Sequence, residues 1–507
     1  MEGTIKLLGN RYYINNVEVS KNKLYENYFP GDIVKYNLLD GKCKILSLIC
    51  RPTTTITLSI LDHKSGRIMF PLISPFSTIE NYCNINIGIY YVSKIQTNGV
   101  SIISSGSIED CLRTIYEYNT SSIIPNYVIG KKYIDDDIKD LRHLDTFNID
   151  PVNSKDYDDS ISVCDSKIYV HIVDIHQLSK IDTEEDINAL KNSYTLYLDD
   201  KNLNNYPNQK SEDEYSLIVG QDRKCITIEI EVDDKLEVKC WNVYKSIICV
   251  KNRYNYEDYP NKYELLESFC TKWKIHKLCL PNVVFNKGDV SLDYNNSISH
   301  IIIETLMILY NKLISKFIQD CPQRHHPSSI NIDKKIGDNV MDDFLNLKKY
   351  RNAIYSSSIK GHFGLQEYEG YTHFTSPIRR YFDVIIHRML HGVYYKNIDE
   401  VIEYLNNRES LTNKIYRYYD KHRKVKYLES MKGKTLSANI ISISKYGIGY
   451  LIPSIIYDDY VNTNNVYGKN WENIFNYNNI NVGDELEVKI LDVDVTSYKV
   501  FVKIRIL

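Results

Sequence analysis

The chain has 507 residues, 43% hydrophobic and 25% charged, ordinary values for a folded protein of roughly three to four domains. A formal net charge of −3 excludes bulk basic attraction as the route to nucleic acid, so any such role rests on local positive patches. Eleven cysteines include no CxxC pair, so neither a zinc site nor a dithiol redox motif is signalled, and reduced thiols of a cytoplasmic protein are expected.

The N-terminal "MEGTIKLLGN" lacks the charged-then-apolar pattern of a signal peptide. Residues 1–120 then read as strands. "GTIKLL", "RYYINN", "DIVKYNLL" and "CKILSLI" are punctuated by "PGD" and "DGK"; "TTTITLSILD", "GRIMFPLI", "GIYYVSKI" and "GVSIISSG" follow. Two small β-barrels in tandem are expected, over 1–52 and 53–125. The first carries eight Lys/Arg against five Asp/Glu. The 44 tyrosines against 21 glycines fit the codon bias of an AT-rich genome and are weak evidence for an aromatic-based function.

Residues 126–430 mix strands and helices. "KIYVHIVDI" (167–175) and "CITIEIEVD" (225–233) read as strands. In the second, Ile226, Ile228 and Ile230 alternate with Thr227, Glu229 and Glu231, which predicts one wet face. The most apolar stretch, 298–318, carries His300, Glu304, Asn311, Lys312 and Lys316; a bilayer does not tolerate that load, so a core helix and no membrane association are expected. Residues 379–434 hold thirteen Lys/Arg against seven Asp/Glu, which suits a solvated helical face or a nucleic-acid surface equally. From 431 the chain reads as a five-stranded barrel, in "KTLSANIISISKYGIGYLI", "VGDELEVKILDVD" and "KVFVKIRIL". The intervening polar segment holds Trp471 and Phe475 and is read as ordered.

The stretch "NIDPVNSKDYDDSIS" places Asp150, Asp156, Asp158 and Asp159 within ten positions. Carboxylates this close ionise together only beside positive charge, which hard divalent cations such as Mg²⁺ supply well. Pro151 opposes a helix and favours an irregular loop. An EF-hand is excluded, because the turn Gly and the closing Glu are missing. On acidity alone, a solvated acidic loop is the commoner reading.

The full pattern changes that balance. "IDPVNSKDYDD" resembles the signature of the RNB family of exoribonucleases, which includes RNase II, RNase R and the exosome nuclease. "VHIVDIHQL", "YSLIVGQDR", "NRYNYED", "QRHHP", "KGHFGL" and "YTHFTSPIRRY" are similar to further family motifs in the family's order. The resemblance implies a multidomain α+β chain: two OB (cold-shock-type) β-barrels, a mixed α/β RNB catalytic domain over 126–430 and an S-one-type OB barrel over 431–507. It implies processive 3′→5′ hydrolysis of single-stranded RNA to nucleoside 5′-monophosphates by a two-metal mechanism, with Mg²⁺ as cofactor and Mn²⁺ as a substitute, in a monomeric cytoplasmic enzyme. Asp150, Asp156, Asp158 and Asp159 become metal ligands, Asp158 and Asp159 also catalytic, with Asp158 the least replaceable. Arg379 becomes the arginine that clamps the scissile phosphate; Ser376 as N-cap and Pro377 at the first helical position would put it in a helix's first turn. Tyr256, Tyr197 and Phe285 fall at or near the family's RNA-stacking aromatics, with Arg380 as a supporting RNA contact beside His373. His325 and His326 are expected in structural or RNA-channel roles.

Two departures stand out. The family's carboxylate before "MIL" falls at Thr305, with Glu304 one place earlier, and the usual Pro after "RRY" is Phe382. A catalytically retired RNA-binding or adaptor protein and a two-metal nuclease of other specificity are the alternative readings. The intact acid cluster argues against the first.

Overall fold

The N-terminal strands form two five-stranded antiparallel sheets with one strand order. The structure is a computed structural model and describes residues 1–8, 11–15, 17–19, 32–39, 41–50, 55–61, 68–70, 74–79, 90–96, 99–118, 123–199, 202–275, 279–286, 289–327, 339–444, 446–462, 466–468, 480–495 and 498–506. Trp471 and Phe475 lie outside these.

In the first sheet the order is Val17–Glu18, Arg11–Ile14, Glu2–Leu8, Ile33–Leu39, Lys42–Cys50. A parallel bridge from Val19 to Cys43 draws the outer strands together around Ile5, Ile14, Val34 and Tyr36. The second sheet repeats the order with Ser74–Ile79, Ile68–Phe70, Thr55–Leu61, Tyr90–Gln96 and Gly99–Gly106. The C-terminal sheet repeats it again with Tyr457–Asn462, Gly447–Ile452, Thr435–Ser444, Glu485–Asp494 and Lys499–Ile506. It has six strands rather than the five expected, because the short Val466–Gly468 adds parallel to Lys499–Ile506.

The central sheet has seven strands, in the order Ile138–Asp140, Val238–Cys249, Asp222–Val232, Lys167–Val173, Asp159–Cys164, Thr146–Ile149, Asn252–Tyr254. One face carries Ile226, Ile228 and Ile230 opposite Ile172, Val170 and Ile168. The other was expected to be wet and is so only at one end: Thr227 and Glu229 are buried, while Glu231 is half-buried and pairs with exposed Lys239. The strand is central and covered on both faces, so its polar residues bond to one another. A chain of side-chain hydrogen bonds runs Thr146–Ser162 (2.8 Å), Ser162–His171 (2.9 Å), His171–Thr227 (2.8 Å) and Thr227–Ser246 (2.5 Å). Glu229 takes hydrogen bonds from Lys167 and Tyr244.

The Ile298–Phe317 helix is long and apolar enough to cross a bilayer by length and composition, but here it packs in the central core, with Leu306, Tyr310 and Ile314 fully buried. Ser297 caps it by accepting from the His300 N–H. Every residue of the Tyr381–Leu390 helix is buried. The 33-residue Ile398–Ser430 helix runs from this domain to the C-terminal sheet. A second core gathers Val92 of the second sheet, Leu112 of the Ile108–Tyr118 helix, Ile415 and Leu428 of the long helix, and Val488 and Ile504 of the C-terminal sheet. Leu196 and Leu198 of a central-domain loop belong to it too.

Candidate active site

The acidic loop leaves the strand Thr146–Ile149 at Asp150 and rejoins the sheet at Asp159, the first residue of the next strand. Pro151 follows Asp150 and no helix forms between them, so the loop bends back on itself. Arg253 holds that bend: its guanidinium donates to the carbonyls of Pro151, Val152 and Ser154 at 3.2–3.3 Å and lies over the Tyr157 ring. The Tyr157 amide donates to the Ser216 hydroxyl at 2.8 Å and the Leu217 amide to the Tyr157 carbonyl at 3.0 Å.

All four aspartates line one cleft of about 1320 Å³, together with Tyr197, Tyr256, His300, Glu304, His373, Ser376, Arg379 and Arg380. Asp156 and Asp158 are buried, Asp150 and Asp159 half-buried. Burial disfavours the charged form of each. It pushes Asp158 well above the ordinary carboxylate range against the pull of Arg379. It does the same to Asp150, where the Asp159 and Asp158 charges add to the rise. Asp159 is pushed up to about 6 by burial, again opposed by Arg379. Asp156 is raised by burial, which the Tyr197 hydroxyl opposes.

The segment Thr375–Arg380 faces this cluster. It is a turn: the helix begins at Tyr381, so Arg379 precedes the helix instead of sitting in its first turn. The free amides are used differently from the expectation. The Ile378 N–H donates to Asp158 Oδ1 at 2.7 Å, and the Ser376 N–H to Asp383 Oδ2 at 2.8 Å. Arg379 lies with Nε 3.6 Å from Asp158 Oδ2, donates from Nη2 to Ser376 Oγ at 2.9 Å, and keeps its side chain 44% exposed. It is a cation aimed at an acid cluster with donors left for a ligand. Arg380 instead grips both oxygens of buried Asp383, so its guanidinium holds the turn.

The aromatics separate. Tyr256 lines the cleft with one face on the His300 ring, centroids 3.8 Å apart and 8° from parallel. Tyr197 lines it with its hydroxyl on Asp156 Oδ2 at 2.6 Å. Phe285 does not line it: it sits on the hairpin Asn282–Asp293, against Tyr427, with Arg423 over its ring. His373 accepts or donates to the Tyr355 hydroxyl at 2.9 Å, and burial together with Arg380 and Arg324 holds it neutral. His325 and His326 bond to the carbonyls of Gly361 and Arg351, apart from the cleft. Thr305 is buried and donates to the Cys270 carbonyl, whereas Glu304 lines the cleft, so the carboxylate on this wall comes from the preceding position. Phe382 stacks on Tyr355 at 3.8 Å. Arg253, His300 and the Ile378 amide escape sequence reasoning; only the quoted "NRYNYED" hinted at the first.

Among the described residues, no three His, Cys, Asp or Glu side chains already enclose a metal position. The donor set still fits Mg²⁺, which takes one or two carboxylates and completes its octahedron with water and substrate phosphate oxygens. Four crowded carboxylates whose charged forms are disfavoured by burial are a chemistry that a hard cation relieves.

The RNB domain family matches residues 138–346 and 326–396. Among curated proteins, the chain is 25% identical over 427 residues to "Ribonuclease R" of Aquifex aeolicus, covering 66% of this chain and 60% of the relative. It is 26% identical over 456 residues to "Ribonuclease R" of Mycoplasmopsis pulmonis, covering 73% and 62%. The chain thus spans about three fifths of the length of these relatives. Mycoplasma genitalium RNase R, solved in apo form and in complex with ribose methylated single-stranded RNA, shares the fold with TM-score 0.75 at 19% identity over 100% of both chains. Yeast Ssd1, described as a pseudonuclease, shares it with TM-score 0.64 at 14% identity over 91% of this chain and 78% of that one. The RNB match spans about half of the 507 residues and contains the acid cluster and the arginine turn, and by it the chain belongs to the RNB family.

Proposed function

We propose that this chain is a Mg²⁺-dependent exoribonuclease that shortens single-stranded RNA from its 3′ end. The observation that carries the reading is the cleft itself: four aspartates on one wall, faced by an arginine whose guanidinium is still partly exposed. The relatives named Ribonuclease R and the RNA-bound neighbour support RNA as the substrate. The 3′→5′ polarity, processivity and nucleoside 5′-monophosphate products are those the family resemblance implies. The three sheets of shared strand order are read as OB barrels that hold the RNA backbone.

Asp150, Asp156, Asp158 and Asp159 would hold Mg²⁺, which when bound activates the attacking water and stabilises the leaving 3′ oxygen. The chain's own residues do the rest. Arg379 binds the scissile phosphate, and the Ile378 N–H fixes the rotamer of Asp158 beneath it. Tyr256, backed by His300, offers a flat surface for a base of any identity.

The fold alone does not decide for catalysis, since yeast Ssd1 shares it and is a pseudonuclease. A retired RNA-binding protein is therefore the second reading, and the intact acid cluster with Arg379 beside it weighs against it. Incubating 5′-labelled and 3′-labelled single-stranded RNA with the protein separates the two. The 3′ label should leave at once as mononucleotide, the 5′ label should shrink to a short end product, and EDTA should stop both. Internal fragments appearing first, or activity that survives EDTA, overturns the proposal.

A further inference from the structure

By its place in the sequence Tyr197 is expected to stack on a base, but its hydroxyl does something a stacking residue need not do. It donates to Asp156 Oδ2 at 2.6 Å, so one of the cleft's four carboxylates is held by a phenol. Asp158 is held by the Ile378 amide, and this donor is backbone. Asp156 therefore depends for its orientation on a side chain.

The loop that carries this side chain is itself fixed from three sides. The Tyr197 amide donates to the Tyr416 hydroxyl of the Ile398–Ser430 helix at 2.8 Å. Two residues earlier, the Thr195 amide donates to the Arg379 carbonyl at 3.0 Å. Leu196 and Leu198, on either side, are buried in the core shared with the C-terminal sheet. A loop tied to the arginine, to a long helix and to a hydrophobic core is a rigid mount. It has no need of the Asp156 contact to keep its place.

We propose that Tyr197 is a positioning residue for the metal site. Its hydroxyl takes one acceptor position of Asp156 and so turns the remaining lone pairs toward the place a divalent cation would occupy. This rests on the proposed function, in which Asp156 is a metal ligand. A carboxylate has about four acceptor positions, so one hydrogen bond leaves enough for a cation. Outer partners of ligating carboxylates typically change metal affinity by 10–100-fold when removed.

The test uses Tyr197→Phe, which keeps the ring and its stacking and removes only the O–H. Mn²⁺ binding to the full chain is followed by electron paramagnetic resonance without RNA, so no turnover enters the readout. RNA affinity is measured in EDTA. Tyr197→Phe should bind Mn²⁺ about 10–100-fold more weakly than wild type, with RNA affinity unchanged, and excess Mn²⁺ should restore turnover. Tyr197→Ala should lose the same metal affinity and weaken short RNA as well. Mn²⁺ affinity of Tyr197→Phe within two-fold of wild type, when wild type binds Mn²⁺, overturns the proposal alone. A wild-type protein that binds no Mn²⁺ overturns the functional reading and this proposal with it.

Discussion

Asp158 and Arg379 show how much one side chain can carry. Asp158 is buried, receives the Ile378 amide and has Arg379 at 3.6 Å. Asp158→Asn keeps the shape and the oxygen that accepts from Ile378 but removes the charge. Turnover should fall by orders of magnitude while RNA affinity stays level or rises, because repulsion of the phosphate is smaller; cleavage within a few-fold of wild type would place Asp158 outside the reaction. Arg379→Lys keeps a cation but loses the planar two-point grip. Loss of one preorganised donor costs roughly 10²–10³ in rate, and RNA binding should barely change; equal losses in both would make Arg379 a general anchor. That these two residues meet in one cleft was legible because their motifs are local. Arg253 was not: its value lies in three carbonyls about a hundred positions away, and no spacing rule connects them. Nor could the sequence settle Thr305 against Glu304. A one-residue step on a helix turns a side chain by about 100°, and only packing shows which of the two meets the cleft.

At the scale of elements, alternation located the strand Asp222–Val232, but not what covered it. A strand with Thr227 and Glu229 between isoleucines reads as half-wet; here the polar row is an internal ladder of hydrogen bonds centred on His171. The ladder has a consequence for acid stability. Burial lowers His171 to about 3, from an ordinary value of 6.5. The folded protein keeps it neutral while the unfolded chain takes up a proton below 6.5. Its contribution is therefore fully present above pH 6.5 and is lost as pH falls toward 3. Between pH 6.5 and 5 this amounts to roughly 2 kcal/mol. Thermal melting across that range should show a falling midpoint in wild type and a shallower fall in His171→Gln, whatever the variant's midpoint at pH 8. Parallel curves would assign the acid sensitivity to other groups. The arginine turn teaches the same lesson. Ser-Pro read as a helix start, yet the Ile378 and Ser376 amides are taken by Asp158 and Asp383, and the helix begins only at Tyr381.

Over the whole molecule, the outer sheets and the central domain are less separable than a chain of modules suggests. The C-terminal sheet shares its core with the long helix, the second sheet, and Leu196 and Leu198 beside Tyr197. Removing residues 433–507 would strip that core, so truncation cannot isolate RNA binding. Surface substitution can. On the outer face of the last two strands, Lys489 and Lys503 are direct cross-strand partners, and exposed Lys499 and Phe501 lie on the same strand as Lys503. Cations beside an exposed aromatic suit a single strand, whose phosphates and bases need both. Replacing Lys489, Lys499 and Lys503 together by Ala should weaken a long RNA and reduce the slope of log affinity against log salt by about 2, at roughly 0.7 per phosphate contact. A short oligonucleotide held only in the cleft should bind as before. Tyr256→Ala should do the reverse. One base stack is worth roughly 1–3 kcal/mol, and a long RNA still gripped by the barrels would conceal most of its loss. A short RNA would not, and its digestion should stall at a longer end product. Binding and end-product length for both variants, each on a long and a short RNA, decide the matter: the same length dependence in both would mean that barrels and cleft do not divide the strand between them.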